Sequence, residues 1–369
     1  MIAERTTPIG AIVPDVARIG VLRGNALGDL VVALPALDAL RHAYPKAEIT
    51  LFGRAHHQAL LGGGRPSPVD RVVVLPNGAI GDEPGPGPEP GFDRAALLAS
   101  FAADEYDVAI QLHGGGRNSN AFIRGLSPRL TVGSRTPDAP ALDRWVPYER
   151  FQWEIGRYLE VVALIGARPR ELEPRLTVTA DDLSGAVAAL PGLGDGRYVV
   201  LHPGATDPRR RWPVERFADV ARACQAHGLQ VVITGTPDER ELTAALAEAA
   251  NDGASGTLVA DRLSLPALLG LLAGADLVVS NDTGPLHVAM AAGTRTVGLF
   301  WVGNLINAGP LTRTRNRPHI SWRVTCPRCG VSATAPRCVH DDAWVDDIAT
   351  DAVVASVEAL LEDVARTAG

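Results

Sequence analysis

The chain has a single lysine, Lys46, in 369 residues; all other side-chain positive charge of the Lys/Arg type is arginine. This reads as a base-composition bias, so an arginine can stand where a relative uses lysine. No apolar run approaches the ~20 residues a membrane-spanning helix needs, so no span is expected. Met1 to Pro14 carries Glu4 and Arg5 and lacks a continuous apolar stretch, so no secretory leader is expected. Cysteine is scarce, with Cys224, Cys326, Cys329 and Cys338 only. The expected compartment is therefore a reducing cytoplasm, where free thiols or a metal site displace disulfides as the default. There is no basic excess: the net charge is −7, which argues against wholesale binding of nucleic acid. A GxGxxG dinucleotide fingerprint is also lacking.

What is present is a soluble, globular composition, 46% hydrophobic and 21% charged, long enough for two domains. The first half alternates strands with helices. Strands are expected at Ala17–Leu22, Glu48–Phe52, Arg71–Leu75 and Asp107–Leu112. Leu30, Leu34, Leu37 and Leu40 recur at helical spacing over Asp29–His42, and Asp93–Ala103 and Trp153–Ile165 also read as helices. Pro76–Gly91 is a Gly/Pro-rich loop, and Gly166–Thr177 a Pro- and charge-rich connector. The pattern restarts after Pro191–Gly196. Strands Tyr198–Leu201, Gln230–Thr234, Thr257–Val259, Leu277–Ser280 and Thr296–Phe300 alternate with helices Val214–His227, Asp238–Ala250, Leu265–Leu272 and Leu286–Ala292. A last helix covers Ile348–Arg366. Such alternation implies parallel sheets flanked by helices. The expected fold is α/β, with a first domain over 1–170, a linker over 171–196, a second domain over 197–345 and a terminal helical segment over 346–369.

Ligands of such sheets collect at the carboxyl ends of strands. Gly24-Asn25-Ala26-Leu27-Gly28-Asp29 follows the first strand. Asp29 can act as a general base toward a hydroxyl, or equally complement the dipole of the helix it opens. Gln111, His113, Arg117 and Asn118 follow the fourth strand and offer groups for a hydroxylated or anionic ligand. In the second half, Asn281-Asp282-Thr283-Gly284-Pro285-Leu286-His287 joins a strand to a helix whose free N–H groups suit a phosphate; an ordinary N-cap is the plain alternative. His202-Pro203-Gly204-Ala205-Thr206 leads into Arg209-Arg210-Arg211-Trp212-Pro213, where a Gly/Thr loop and guanidinium groups can hold a diphosphate. Glu239, after the next strand, can accept bonds from a ribose diol or balance helix charge. Cys326-Pro327-Arg328-Cys329 with Cys338-Val339-His340 has ligand types suited to structural zinc, although reduced thiols fit the compressed spacing too. Arg117, Arg124, Arg129 and Arg135 fall in one segment that could meet an anionic acceptor or lipid surface, or form a solvated face.

In this order the motifs resemble the ADP-heptose:lipopolysaccharide heptosyltransferases of glycosyltransferase family 9. The resemblance is carried by Arg23–Asp29, Ala33-Leu34-Pro35-Ala36-Leu37, Tyr44-Pro45, His202-Pro203-Gly204-Ala205, Arg210-Arg211-Trp212-Pro213 and Ser280–His287, and spans about residues 17 to 345. It implies a GT-B fold, two Rossmann-like domains facing across a cleft, with a last helix that crosses back to the first domain. It implies inverting transfer from an ADP-activated sugar without a catalytic metal or other cofactor, at the cytoplasmic face of a membrane with peripheral contact at most. Asp29 matches the family's proposed base. Thr206, Arg210, Asp282, Thr283, Gly284 and His287 fall at the donor diphosphate, and Glu239 at the ribose. Asn25, Gln111, His113, Arg117 and Asn118 fall on the acceptor side. Arg210 stands where the family usually has Lys, and Asn25-Ala26 stand where it commonly has Ser-Ser. The neighbouring readings are a relative that glycosylates a small metabolite, a nucleotide-sugar epimerase of the same fold, and a nucleotide-binding protein without catalysis.

Overall fold

A computed structural model describes residues 9–81, 87–193, 196–250 and 257–368, with side chains to residue 363. Residues 1–8 of the N-terminal segment, 82–86 of the Gly/Pro loop and 194–195 of the Pro191–Gly196 turn lie outside the described residues. The chain divides into two units, Met1–Pro174 and Arg175–Gly369.

The first unit is a parallel sheet of β1 (Arg18–Leu22), β2 (Glu48–Gly53), β3 (Arg71–Val74), β4 (Val108–Gln111), β5 (Leu130–Arg135) and β6 (Arg144–Pro147), in the order β3-β2-β1-β4-β5-β6. Its helices are α1 (Leu27–Val31), α2 (Leu34–Ala43), α3 (Ala55–Leu61), α4 (Arg94–Ala102), α5 (Ser119–Gly125) and α6 (Glu154–Ala163). Apart from Arg18 at the start of β1, the central strands β1 and β4 are buried, as expected when helices cover both faces. The Asp29–His42 periodicity resolves into α1 and α2, separated at Val32-Ala33, because Pro35 is accommodated in the first turn of a new helix and not inside a continuous one. Asp93 caps α4 through bonds from the Ala95 and Ala96 N–H groups. Phe52 anchors an aromatic cluster, with Phe101, Phe122 and Tyr106 ring centroids 5.1, 5.4 and 5.7 Å away. Burying side chains of this kind stabilises the unit by about 1.5–3 kcal/mol each.

The second unit repeats the plan. It contains α7 (Ala180–Ala189), β7 (Tyr198–His202), α8 (Val214–Ala226), β8 (Gln230–Thr234), α9 (Arg240–Ala250), β9 (Leu258–Ala260), α10 (Leu265–Gly274), β10 (Leu277–Asn281), α11 (Gly284–Ala292), β11 (Thr296–Trp301), α12 (Val302–Ala308), β12 (Asn316–Ser321) and α13 (Thr350–Ala368). The order β12-β11-β10-β7-β8-β9 is again a parallel doubly wound sheet. Trp212, Phe217, Val220 and Leu246 fill its core. Gly293 ends α11 in the left-handed conformation at φ 85°.

One expectation changes here. The stretch read as linker holds α7, whose Thr179 caps the helix through the Asp182 N–H while Asp182 bonds back to Thr179. It packs so closely on α10 that a Cβ on Gly270 would stand 2.0 Å from the Asp182 carbonyl oxygen. The last helix sends Val353, Val357, Leu360 and Leu361 into the core of the second unit, against α8.

Candidate functional site

In each unit the strand order reverses between the first and fourth strands, and ligands of such sheets bind beyond the carboxyl ends at that reversal. In the first unit this point lies between β1 and β4. The residue after β1 is Arg23, which is 1% exposed. Its Nη1 donates to the Leu112 carbonyl at 2.7 Å, its Nε to the Asp29 carbonyl at 2.9 Å, and its Nη2 to Asp29 Oδ1 at 2.8 Å and Glu154 Oε2 at 3.3 Å. The Tyr158 ring lies against the guanidinium at 4.9 Å, and its hydroxyl donates to Glu154 at 2.7 Å. Burial alone would weaken the charge of Arg23, but Tyr158, Asp29 and Glu154 bind its proton more tightly than usual. Asp29 Oδ2 accepts from the Ala26 N–H at 3.1 Å, closing a box at the start of α1. Asp29 is thus clamped from both oxygens yet has its side chain 35% exposed. Sequence reasoning missed Arg23 and Glu154: a buried arginine network is made by tertiary placement, and only the position of Arg23 just before the glycine corner hinted at it.

The other residues expected on the acceptor side divide. Gly24 N–H donates to His113 Nδ1 at 3.1 Å, which ties the β1 corner to the β4 corner. Asn25 is held through its carbonyl by His56 Nε2 at 3.0 Å. Gln111 is fully buried and spends its amide on the carbonyls of His113 and Gly114 and on Ser119 Oγ, at 2.7, 2.9 and 2.7 Å. It shapes the corner from inside and offers no exposed surface to a ligand. Arg117 is exposed and paired with Asp138 through Nε at 2.9 Å, and Asn118 stands at the N-terminus of α5. Three arginines of the 117–135 segment have partners within the fold: Arg117 on Asp138, Arg129 on the Pro14 and Asp15 carbonyls, and Arg135 on the Trp145 ring.

In the second unit the reversal lies between β7 and β10. Asn281 ends β10 fully buried and stitches three segments: its Oδ1 accepts from the Trp212 N–H at 3.1 Å and its Nδ2 donates to the Pro203 carbonyl at 2.7 Å. This residue was in the motif but had no expected role. Trp212 anchors the loop, buried against Phe217 with its indole N–H on the Ile348 carbonyl at 3.1 Å. Of the three successive arginines, Arg209 is bound to Asp207 at 2.6 Å and Arg211 to the Ala205 carbonyl at 2.9 Å. Arg210 instead reaches the start of α11, with Nη1 3.0 Å from the Asp282 carbonyl and 3.7 Å from its carboxylate.

Asp282 is buried. Its Oδ1 meets His287 Nε2 at 3.1 Å, and its Oδ2 accepts from Asn304 Nδ2 at 2.6 Å. Burial would raise this carboxyl, but His287, Arg210 and Asn304 outweigh it and hold the group below the usual carboxylate range. The carboxylate therefore fixes His287 and Arg210 beside the helix start. Thr283 precedes α11 without capping it through its side chain, and Gly284 is the first helical residue. A helix leaves its first N–H groups without intrahelical partners. Thr206 lies exposed in the neighbouring loop.

Glu239 accepts from the Thr236 N–H at 2.9 Å, and its carboxylate lies over Gly204, where a Cβ would stand 2.2 Å from Oε1. His202 beneath bonds Thr234 at 3.1 Å, and burial holds it below the usual imidazole range. The structure thus gathers Arg210, Asp282, Thr283, Gly284 and His287 into one group, with Glu239 on the adjacent corner. Cys326, Cys329, Cys338 and His340 also come together, on the segment after β12.

Two parallel, doubly wound α/β units, each with ligand corners at its strand ends, are the plan of the GT-B class. The family model for glycosyltransferase family 9 (heptosyltransferase) matches residues 94–326, more than half of the chain, and the protein belongs to that family. The chain is 22% identical over 302 residues to the lipopolysaccharide core heptosyltransferase OpsX of Haemophilus influenzae, covering 80% of this chain and 82% of that one. Among solved structures, the family 9 glycosyltransferase of Veillonella parvula aligns with a TM-score of 0.75 at 21% identity, covering 96% of this chain and 99% of the other. The Escherichia coli ADP-heptose lipopolysaccharide heptosyltransferase II aligns with a TM-score of 0.74 at 22% identity, covering 94% and 99%. The motifs that carried the resemblance thus belong to a true member. Among the described residues, no helix is long and apolar enough to cross a membrane.

Proposed function

We propose that this enzyme transfers heptose from ADP-heptose to a hydroxyl of a lipopolysaccharide core glycan, with inversion at the anomeric carbon. The observation that carries the reading is the placement of Arg210 at the start of α11, beside the Asp282–His287 pair. A guanidinium and the N-terminus of a helix are the donors a nucleotide diphosphate calls for. The relatives named above, one of them an ADP-heptose enzyme in its own description, support the choice of donor and acceptor.

In this reading Asp29 accepts the proton of the acceptor hydroxyl as that oxygen attacks the anomeric carbon. The bond from that carbon to the β-phosphate oxygen breaks on the opposite face, and ADP leaves. Arg210, Thr206, His287 and the N–H groups after Thr283 take up the growing charge; such preorganised donors contribute a few kcal/mol each, roughly 3. Glu239 receives the ribose hydroxyls. No catalytic metal is required, because the cationic group and helix terminus perform that task. Asn25, His113, Arg117 and Asn118 remain the proposed acceptor contacts, and the enzyme works at the cytoplasmic face of the membrane.

Calorimetric titration with ADP, UDP and GDP tests the donor. Selective ADP binding, lost in Arg210→Ala, is the expected result; a preference for UDP or GDP overturns the heptose assignment. Incubation of donor without acceptor separates transfer from epimerisation, which would change a sugar stereocentre under those conditions.

A further inference from the structure

We propose that Cys326, Cys329, Cys338 and His340 bind one structural zinc ion, a site separate from the sugar-transfer corners. The four ligand atoms lie within 4.8 Å of one another, and Cys326 Sγ is 3.8 Å from His340 Nδ1. Around tetrahedral zinc, bond lengths of about 2.3 Å to sulfur and 2.05 Å to nitrogen put sulfur–sulfur edges near ~3.8 Å and sulfur–nitrogen edges near ~3.6 Å. The Cys326–His340 edge is within about 0.2 Å of the required length, and closing the widest needs a shift of only about 1 Å, with three side chains outside the core free to make it. Cys326 is the buried member.

The backbone is built for this. Cys326-Pro327-Arg328-Cys329-Gly330 forms a tight knuckle: the Gly330 N–H donates to the Cys326 carbonyl at 2.9 Å and Gly330 takes φ 72°. The Cys326 N–H closes the turn on the Val331 carbonyl at 2.8 Å, and Thr325 bridges Ser332. Three thiolates and one imidazole in tetrahedral array select zinc or iron over hard cations. Among the described residues of this stretch Val324 and Val339 are exposed, and Cys326 is the buried apolar one.

The segment also reaches the donor loop. Arg337, next to Cys338, lies 3.5 Å from Asp207, and the Trp344 N–H donates to the Arg209 carbonyl at 2.7 Å while its ring stacks on the Arg209 guanidinium. A metal that fixes the knuckle braces the loop that presents Arg210; this last step rests on the function proposed above.

The test is metal content of the full chain, measured by plasma mass spectrometry after purification without chelator and again after stripping and reconstitution with zinc. One zinc per chain is expected, with the bound equivalent lost in Cys329→Ser and in His340→Ala while circular dichroism stays unchanged. Cobalt substituted for zinc should give the visible bands of tetrahedral thiolate coordination. A wild-type chain that takes up no metal, or variants that load as it does, overturns the site; iron in place of zinc overturns the choice of ion. Chelation should also weaken ADP binding several-fold. Unchanged ADP affinity in a zinc-free chain removes the brace, and zinc content reports on the site whether or not Arg210 holds the donor.

Discussion

Asp29 shares its Oδ1 with a fully buried guanidinium, that of Arg23, at 2.8 Å, while its own side chain stays partly open to solvent. One member of the pair belongs to the interior and the other to the site, and their substitutions should separate accordingly. Asp29→Ala is expected to reduce turnover by at least about a hundredfold, the lower end of a general-base contribution. ADP affinity should be unchanged. Near-normal turnover would remove Asp29 as the base.

Arg23→Met should act on stability first. It removes the cation shared by Glu154 and Asp29 and leaves the Leu112 carbonyl without its donor, while Glu154 keeps Arg157 at 3.1 Å, so the expected cost is that of a lost buried hydrogen-bond partner, about 1–3 kcal/mol. Urea unfolding followed by circular dichroism measures this, and a loss under about 1 kcal/mol would show that the network is not a structural hub.

Arg210 is the one of three successive arginines that reaches the start of α11. Arg210→Ala should weaken ADP binding about 10- to 100-fold, the value of one to two charge-assisted hydrogen bonds. Arg210→Lys should recover part of it, since the charge is kept and the fork geometry is not. Equal affinity in all three proteins would reject the diphosphate role.

Gly204→Ala gives a test of Glu239 without touching its carboxylate. The new methyl group would collide with the end of a flexible side chain, so the fold should survive while Glu239 is pushed aside. Nucleotide affinity should fall in Gly204→Ala and in Glu239→Ala, and the double variant should be little worse than either, as expected for residues acting through one contact. Additive losses would separate the two.

His57 is buried beneath α1's corner, and burial pushes its imidazole down to about 3. The folded chain therefore refuses a proton that the unfolded chain accepts below ~6.5. Its contribution to stability is complete above that pH and is lost progressively as pH falls toward 3. In His57→Leu the slope of unfolding free energy between pH ~4 and ~6.5 should be shallower than in wild type; identical slopes would show that His57 titrates freely.

The central strands were legible because burial on both faces leaves an uninterrupted apolar run, as in Leu277–Ser280 and Gln230–Thr234. The edges were not. β12 reads Asn-Arg-Pro-His-Ile-Ser, polar and with a proline, which only an edge strand accepts, and β6 ends in Pro147. α7 gave no signal because it packs through Ala186 and backbone against a glycine and not through large apolar side chains. At the candidate site, the order of motifs brought forward Arg210 and the Asp282–His287 corner, which the fold places side by side. It could not show that Gln111 faces inward or that Asn281 is a tie between loops, because both depend on which neighbours the fold brings within 3 Å or so.

The position of α7 has a consequence for domain exchange. The chain joins the second unit at Leu176, whose N–H donates to the Ala291 carbonyl near the end of α11, before α7 is laid along α10. A fragment begun at residue 197, where the strand pattern restarts, would strip the cover from Gly270 and Ala267. Chimeras that swap donor halves between relatives must therefore be spliced upstream of Arg175, or the grafted half arrives with its outer helix missing.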